Sequence, residues 1–543
     1  MAVKHLIAAA LGAALVSACT ESGDTAAASS HRAGEKSPAA SITLPPQQRD
    51  SAWFAQAQRD LGAASEVVID NRPGAAKNII LFVGDGMGIS TVTAARILAG
   101  QQQGMSGEEY QLSFEKMPFA GLIKTYNTNQ QTPDSAGTAT AIMSGVKTKA
   151  GVLNVAEDVP RGDCLASRQR PLVTVLELAE SRGKSTGVVS TARLTHATPA
   201  STYAKVPERG WESDDALPAD AKENGCVDIA AQMVALEAGN GIDVAMGGGR
   251  RHFLPVSVTD LEGQPGRRQD GRNLVQEWQQ RYRAGGASAV YIEDQAGFEG
   301  VDIAATDKLL GLFESSHMRY EEDRGNDVAG EPSLSAMTAT ALKLLEKNSD
   351  GYFLLVESGR IDHGHHAGSA YSALTDAVEF ARAVQVAMDG TSAEDTLIIV
   401  TADHSHVLTI AGYPTRGNPI LGKVVTNDSH GEPEPAPATA KDGMPFTTLS
   451  YATGRGFADL GDETDADVRY ELPAAAGRHD LSEIDTTAPG FHQEALVPLA
   501  GETHAGEDVG IWARGPGAHL LGGTNEQSYI FHVMARSGAL LPH

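Results

Sequence analysis

Six short apolar runs punctuate the chain: Asn78 to Val83, Thr186 to Ser190, Ile242 to Ala245, Tyr352 to Val356, Thr396 to Val400 and Val509 to Ala513. They are near-continuous, not alternating, and helical stretches separate them. Strands covered on both faces read this way. The pattern predicts a doubly wound α/β fold, a mostly parallel central sheet flanked by helices. In such sheets ligands bind beyond the carboxyl ends of the strands. The polar positions agree. Asp85 follows the first run at once, Glu357 and Asp362 the fourth, Asp403 and His404 the fifth. Residues 411–499 are rich in Gly, Pro, Asp and Thr and poor in long apolar runs, so they read as an inserted subdomain. No internal repeat is visible.

Length and charge narrow the class. With 543 residues the chain is long enough for one large α/β domain with insertions. Its net charge of -26 argues against nucleic acid as a specific partner, because phosphate backbones attract basic stripes. The amino-terminal segment carries Lys4, an apolar stretch from Leu6 to Val16, then Ser17, Ala18 and Cys19. This resembles a bacterial lipoprotein signal over residues 1–18, with lipid on Cys19. An ordinary signal peptide with an incidental Cys is the alternative. Residues 19–48 read as a flexible Ser/Ala/Gly/Pro-rich tether, and 49–543 as the folded domain. The expected location is periplasmic or cell-surface, with a membrane contact through the lipid. Thr20 in place of an inner-membrane-retaining Asp points to the outer membrane. Cys164 and Cys226 are the only other cysteines. Export favours a disulfide between them, and two separate buried thiols are the alternative.

Several motifs carry chemistry. Asp362 and His366 are four apart, a spacing that places both side chains on one face of a helical turn, as zinc ligands require. Asp403-His404 follows a strand, and Glu502-Thr503-His504 precedes the last one. Asp85 lies between two glycines, where backbone approaches a ligand closely; a helix N-cap is its alternative role. Asp134-Ser135-Ala136-Gly137 places a serine at the start of a helix, where free N–H groups and the dipole favour an anion. Neither a Gly-x-Ser-x-Gly elbow nor a P-loop is present.

Taken together, Asp85-Gly86-Met87-Gly88, Thr132-Pro133-Asp134-Ser135, His196-Ala197-Thr198-Pro199-Ala200, the run Glu357 to His366, Thr401-Ala402-Asp403-His404 and Glu502 to Asp508 resemble the alkaline phosphatase family. The resemblance runs in order from about Gln48 to the carboxyl terminus. It implies hydrolysis of small phosphate monoesters through a phosphoserine on Ser135, with Arg209 clamping the phosphate. It implies two zinc ions, one on Asp362, His366 and His504 and one on Asp85, Asp403 and His404. It implies one magnesium on Asp85, Thr198 and Glu357. His196 and His363 place the chain in the branch with two histidines beside magnesium, where they order water instead of ligating the ion. That branch also carries a disulfide matching Cys164 and Cys226. Some members hold calcium; Glu314 and Glu331 fall at positions for it, with the remaining acidic ligand not placed. Residues 411–499 would form a crown-like insertion facing a second subunit in a homodimer, although Asp459 to Asp485 departs from the family pattern. Two rivals compete with this reading: a phosphodiesterase or sulfatase of the same superfamily, and a non-catalytic zinc-binding surface lipoprotein.

Overall fold

A computed structural model describes residues 66–541 together with 55, 56 and 59. The expected signal, Cys19 and the tether fall outside the described residues. The chain divides into a unit over Met1–Glu66 and a unit over Val67–His543. Only the second is developed below.

Its centre is a ten-stranded sheet. In chain order the strands are β1 (Asn78–Gly84), β2 (Phe119–Lys124), β3 (Ser185–Arg193), β4 (Val244–Gly248), β5 (Ala289–Ile292), β6 (Lys308–Leu312), β7 (Tyr352–Ser358), β8 (Thr396–Ala402), β9 (Val509–Arg514) and β10 (Gly523–Glu526). In space they run β10-β2-β9-β8-β1-β7-β3-β4-β6-β5. All neighbours pair in parallel except β9, which is antiparallel to both β8 and β2. The expected mostly parallel sheet is therefore present, with one strand against the grain. β7 and β8 are buried along their whole length, and β1 from its second residue. Their unbroken apolar sequence follows from helices on both faces. The run at Ile242 enters the sheet two residues late, at Val244. Asp243 stays outside and accepts from the Thr186 amide at 2.8 Å and from Lys308 Nζ at 2.8 Å.

Register decides what stands at the edge of the sheet. Val83 is opposite Glu357, Gly84 is opposite Ala402, and Ser190 is opposite Glu357. Asp85, Glu357 and Asp403 thus emerge side by side. β9 runs the other way, so the chain just before it, including His504, arrives at that same edge. Helix α1 (Ile89–Gln102) leaves β1. Helix α2 (Ser135–Ser144) is buried over all ten residues, and its Ala and Gly side chains permit that close seat. Its N-cap Asp134 accepts from the Gly137 amide, and Gly145 at φ 76° ends it in the left-handed conformation. Helix α3 (Arg360–Ala367) follows β7, and the long α4 (Ala370–Gly390) packs behind it. Residues 411–499 add no strand to the large sheet. A small three-stranded sheet joins Leu408–Ile410, Leu449–Gly454 and Ala495–Pro498 there.

Cys164 and Cys226 form a disulfide with their Cα atoms 6.0 Å apart, closing a loop of 62 residues. The structure thereby selects the paired reading over separate thiols. A Cys164→Ser/Cys226→Ser chain is expected to lose about 4 kcal/mol of stability by the chain-entropy relation. Urea unfolding of the oxidised protein and the double variant measures it.

Candidate functional site

Loops leaving the edge of the sheet bring four groups of polar side chains together. The first is Asp362, His366, His406 and His504, whose ligand atoms all lie within 4.8 Å of one another. Asp362 and His366 share one face of α3, one turn apart. His504 arrives on a two-residue strand paired antiparallel with Ser405–His406, directly opposite His406. His366 Nδ1 donates to the Glu502 carbonyl at 2.7 Å, and His504 Nδ1 to the Pro133 carbonyl at 2.8 Å. A carbonyl only accepts, so each neutral ring carries its proton on Nδ1 and presents a bare Nε2. The two Nε2 atoms stand 3.1 Å apart, and each is 3.4 Å from Asp362 Oδ1. Two lone pairs and a carboxylate at that distance repel one another unless a cation lies among them. Ligands on one tetrahedral ion with bonds of ~2.0–2.1 Å stand roughly 3.3 Å apart, so the spacing fits zinc.

His406 holds this group from behind. Its Nδ1 lies 2.5 Å from Glu502 Oε2 and its Nε2 lies 2.7 Å from Asp362 Oδ1. Burial disfavours charge on the ring, yet the two carboxylates raise its pKa to about 10. His406 therefore donates from both nitrogens and fixes the Asp362 carboxylate against Glu502. Gly86, at φ 68°, makes room for this: a Cβ there would stand 2.4 Å from the His406 ring.

The second group is Asp85, Asp403 and His404 with Ser135. His404 Nε2 is 3.4 Å from Asp85 Oδ1 and 3.4 Å from Asp403 Oδ2. Ser135 Oγ is 3.2 Å from His404 Nε2 and 3.5 Å from Asp85 Oδ1. Burial keeps His404 neutral, with its pKa well below the ordinary value. Asp403 is fixed by the Gly86 amide at 3.0 Å, its own neighbour's amide on His404 at 2.9 Å and the Thr138 hydroxyl at 3.1 Å. Burial, followed by repulsion from Asp403, Asp362 and Glu357, pushes the Asp85 carboxyl well up.

The third group is built of oxygens. Asp85 Oδ2, Glu357 Oε1 and the Thr198 hydroxyl are buried and have no hydrogen-bond partner. Burial leads the forces that raise Glu357, to about 8, even though Ser190 donates to its other oxygen. Three unsatisfied hard donors in one place fit magnesium.

At the rim, Arg209 is held by Asp134 Oδ2 at 3.2 Å and by His196 Nε2 at 2.8 Å. Asp134 also accepts from the Gly151 amide at 2.9 Å. His196, His363 and His317 form a trio with ligand atoms within 4.8 Å. Burial leads the forces that keep all three neutral, with Arg209 and Arg193 added at His196, His363 itself at His317, and Arg360 at His363.

All ten expected catalytic and metal residues converge: Ser135, Arg209, Asp85, Thr198, Glu357, Asp362, His366, Asp403, His404 and His504. Sequence reasoning gave no role to Asp134, His317 or His406. His406 left a signal, since it stands two residues after His404 beside a strand end. The expected acidic pair, Glu314 and Glu331, shares one acidic neighbourhood: the Glu331 carboxyl is pushed well up by burial first and then by the charges of Glu314 and Asp327. Glu314 groups with Glu262 and Asp327, whose oxygens lie within 4.8 Å, while Glu331 stands outside that trio. The Asp327 carboxylate is fully buried and both its oxygens lack a hydrogen-bond partner. Arg319 Nε is 3.1 Å from Glu314 and 3.9 Å from Asp327.

Comparison with known proteins agrees with this geometry. A family model described as alkaline phosphatase matches residues 76–540. The tissue-nonspecific alkaline phosphatase isozyme of Gallus gallus is 45% identical over 507 residues, covering 92% of each chain. The alkaline phosphatase of Thermus thermophilus superposes with a TM-score of 0.59 at 23% identity, over 88% of this chain and 95% of that one. A mutant alkaline phosphatase of the Antarctic bacterium TAB5 superposes with a TM-score of 0.56 at 22% identity, over 87% of this chain and all of that one; it has magnesium bound in its M3 site.

The donor sets generate a prediction about metal content. His504→Ala is expected to lower bound zinc by one equivalent per chain. Asp327→Asn, outside those donor sets, is expected to leave zinc unchanged. Elemental analysis of each dialysed protein checks both.

Proposed function

The chain belongs to the alkaline phosphatase family, and from that membership we propose which of its residues perform the family's reaction. The activity itself is metal-dependent hydrolysis of phosphate monoesters through a covalent phosphoserine. The observation that carries the assignment is Ser135 Oγ, at the start of α2, within 3.5 Å of both Asp85 and His404.

Asp362, His366 and His504 would hold one zinc, Asp85, Asp403 and His404 the second, and Asp85, Thr198 and Glu357 magnesium. Bound ions of this kind supply Lewis-acid stabilisation of phosphoryl oxygens and lower the pKa of nucleophile and water. Ser135 Oγ attacks phosphorus; the new O–P bond forms as the ester P–O bond breaks and the alcohol leaves. Water then attacks the phosphoserine, the Oγ–P bond breaks, and inorganic phosphate and the serine hydroxyl are regenerated. The Ser135 and Ala136 amides that open α2 would face the anion, the Gly137 amide being taken by Asp134. Arg209, preset by Asp134 and His196, offers its guanidinium fork to two phosphate oxygens. Recognition centred on phosphate accepts many alcohols and is poor for diesters.

The Glu262, Glu314 and Asp327 trio is proposed as a calcium site. It is all oxygen, and both Asp327 carboxylate oxygens are buried without a hydrogen-bond partner, Arg319 Nε standing 3.9 Å away. The crown-like insertion presents Leu496 at 84% exposure, with Val497 and Leu499 exposed beside it on and after an edge strand. Apolar side chains on an open edge suit a second copy of the chain. Lipid on Cys19 and a periplasmic or outer-membrane location complete the reading, on the strength of the amino-terminal sequence alone.

Ser135→Ala is expected to abolish labelling by a radioactive aryl phosphate and to lower turnover by more than about a thousandfold, with metal content retained. Normal labelling of that variant would remove Ser135 from its role. The full-length protein expressed in a bacterium is expected to partition into detergent as a dimer. Cys19→Ala is expected to leave the dimer intact and move it to the aqueous phase. Light scattering and phase separation read the two outcomes.

A further inference from the structure

The inserted region sends one carboxylate to the base of the catalytic helix. A short 3-10 turn, Ala466–Glu471, carries Asp467. Its Oδ2 accepts from Arg360 Nη2 at 3.0 Å, and its Oδ1 accepts from the Tyr320 hydroxyl at 2.9 Å. Arg360 lies flat over the Tyr320 ring, 3.6 Å from its centroid. Guanidinium, ring and carboxylate thus close a loop in which each fixes the plane of the next. Arg360 is 4% exposed and opens α3, the helix that carries Asp362, His363 and His366.

Arg360 Nη1 lies 3.2 Å from His363 Nδ1. A guanidinium has donors and no acceptor, so Nδ1 accepts and the neutral ring keeps its proton on Nε2. On that side Nε2 lies 4.0 Å from Asp362 Oδ2, and the His363 ring stands 4.0 Å from that of His317 and 5.6 Å from that of His196, centroid to centroid. Without Asp467, the Arg360 cation would be drawn toward Asp376 and Glu331, the other carboxylates whose fields it feels. His363 would then lose the donor that selects its tautomer.

We propose that Asp467, in the inserted region, is a positioning residue for phosphoryl transfer: it holds Arg360, and Arg360 holds His363 in one tautomer beside the proposed magnesium ligands. This rests on the phosphatase reading above. Asp467 itself touches no proposed ligand, and its side chain is 46% exposed, so substitution there leaves the core packing intact. Asp465, two residues earlier, faces Arg319 at 3.5 Å and serves the acidic trio instead.

The test uses the full-length, metal-loaded protein labelled with nitrogen-15 histidine. In the wild type, His363 is expected to show one bare and one protonated ring nitrogen, the bare one being Nδ1. In Asp467→Ala and Asp467→Asn the two signals should move toward a tautomer average. In both, kcat should fall on the order of 10-fold with KM within twofold, the scale of an outer-shell partner at a metal site. Magnesium retained after dialysis should fall with kcat while zinc stays. Asp467→Glu should recover at least part of both losses. An unchanged His363 pattern in both variants, or a loss confined to melting temperature, overturns the proposal. Should Asp467→Ala fail to fold, Asp467→Asn alone decides, since it keeps the shape and removes the charge. Failure of the phosphatase reading would show separately, as a wild-type protein that forms no phosphoserine.

Discussion

Four carboxylates, Asp85, Glu357, Asp362 and Asp403, are buried within a few ångströms of one edge of the sheet. Such a crowd is unstable on its own. Burial penalises each charge and every neighbour adds repulsion. The structure answers this only in part. Asp362 is held well below the carboxylate range: burial opposes its charge, but His366, His406 and His504 outweigh it. Asp85 and Glu357 have no such partners and are pushed up. The remaining negative charge is the constraint on which the rest of the architecture depends. It calls for divalent cations, and the serine and the arginine stand where those cations would concentrate an anionic substrate. An overall acidic protein thereby acquires a local anion site.

The histidines divide by what stands behind them. His366 and His504 face backbone carbonyls, which lock the proton on Nδ1 and free Nε2. His406 faces two carboxylates, which lock protons on both nitrogens. His196 and His363 face arginines, which lock a lone pair on one nitrogen and a proton on the other. One residue type thus serves as proposed ligand, as cationic brace and as hydrogen-bond acceptor, according to its partner. A ring facing a carbonyl is a natural metal ligand, whereas a ring already filled by a guanidinium is a poor one. This distinction also disfavours the His196, His317 and His363 trio as a metal site of its own, since Arg209 occupies one ring and Arg193 another.

Much of this was legible in the sequence because it follows strand ends. Asp85, Glu357 and Asp403 come directly after long apolar runs, and parallel register places such residues in a row. Asp362 and His366 were legible from helical spacing. What escaped follows from contacts without a local pattern. β10 is the edge strand of the sheet and β2 the one beside it; both are partly exposed, and their sequences lack an unbroken apolar run. The antiparallel course of β9 is set by pairing with β8 and β2, which no short window contains. His406 meets Glu502 across 96 residues of chain. Asp327 joins Glu314 through a loop whose acidic residues look like any solvated turn, so no local pattern marks it.

The inserted region shows why an edge of this kind is seldom left bare. Helix α3 begins immediately after β7, so its first turn must be oriented while its side chains bind ions on one face. The sheet fixes one end of that turn through the Thr191 hydroxyl, which accepts from the Gly359 and Arg360 amides at 2.9 and 3.2 Å. The side-chain partners of Arg360 among the described residues are His363, Tyr320 and Asp467, none of them in the sheet. The Asp467 carboxylate comes from a segment more than 100 residues downstream. The inserted region therefore bears on the chemistry through one side chain. It supplies one charge to a buried cation, and buried charges tolerate loss of a partner poorly.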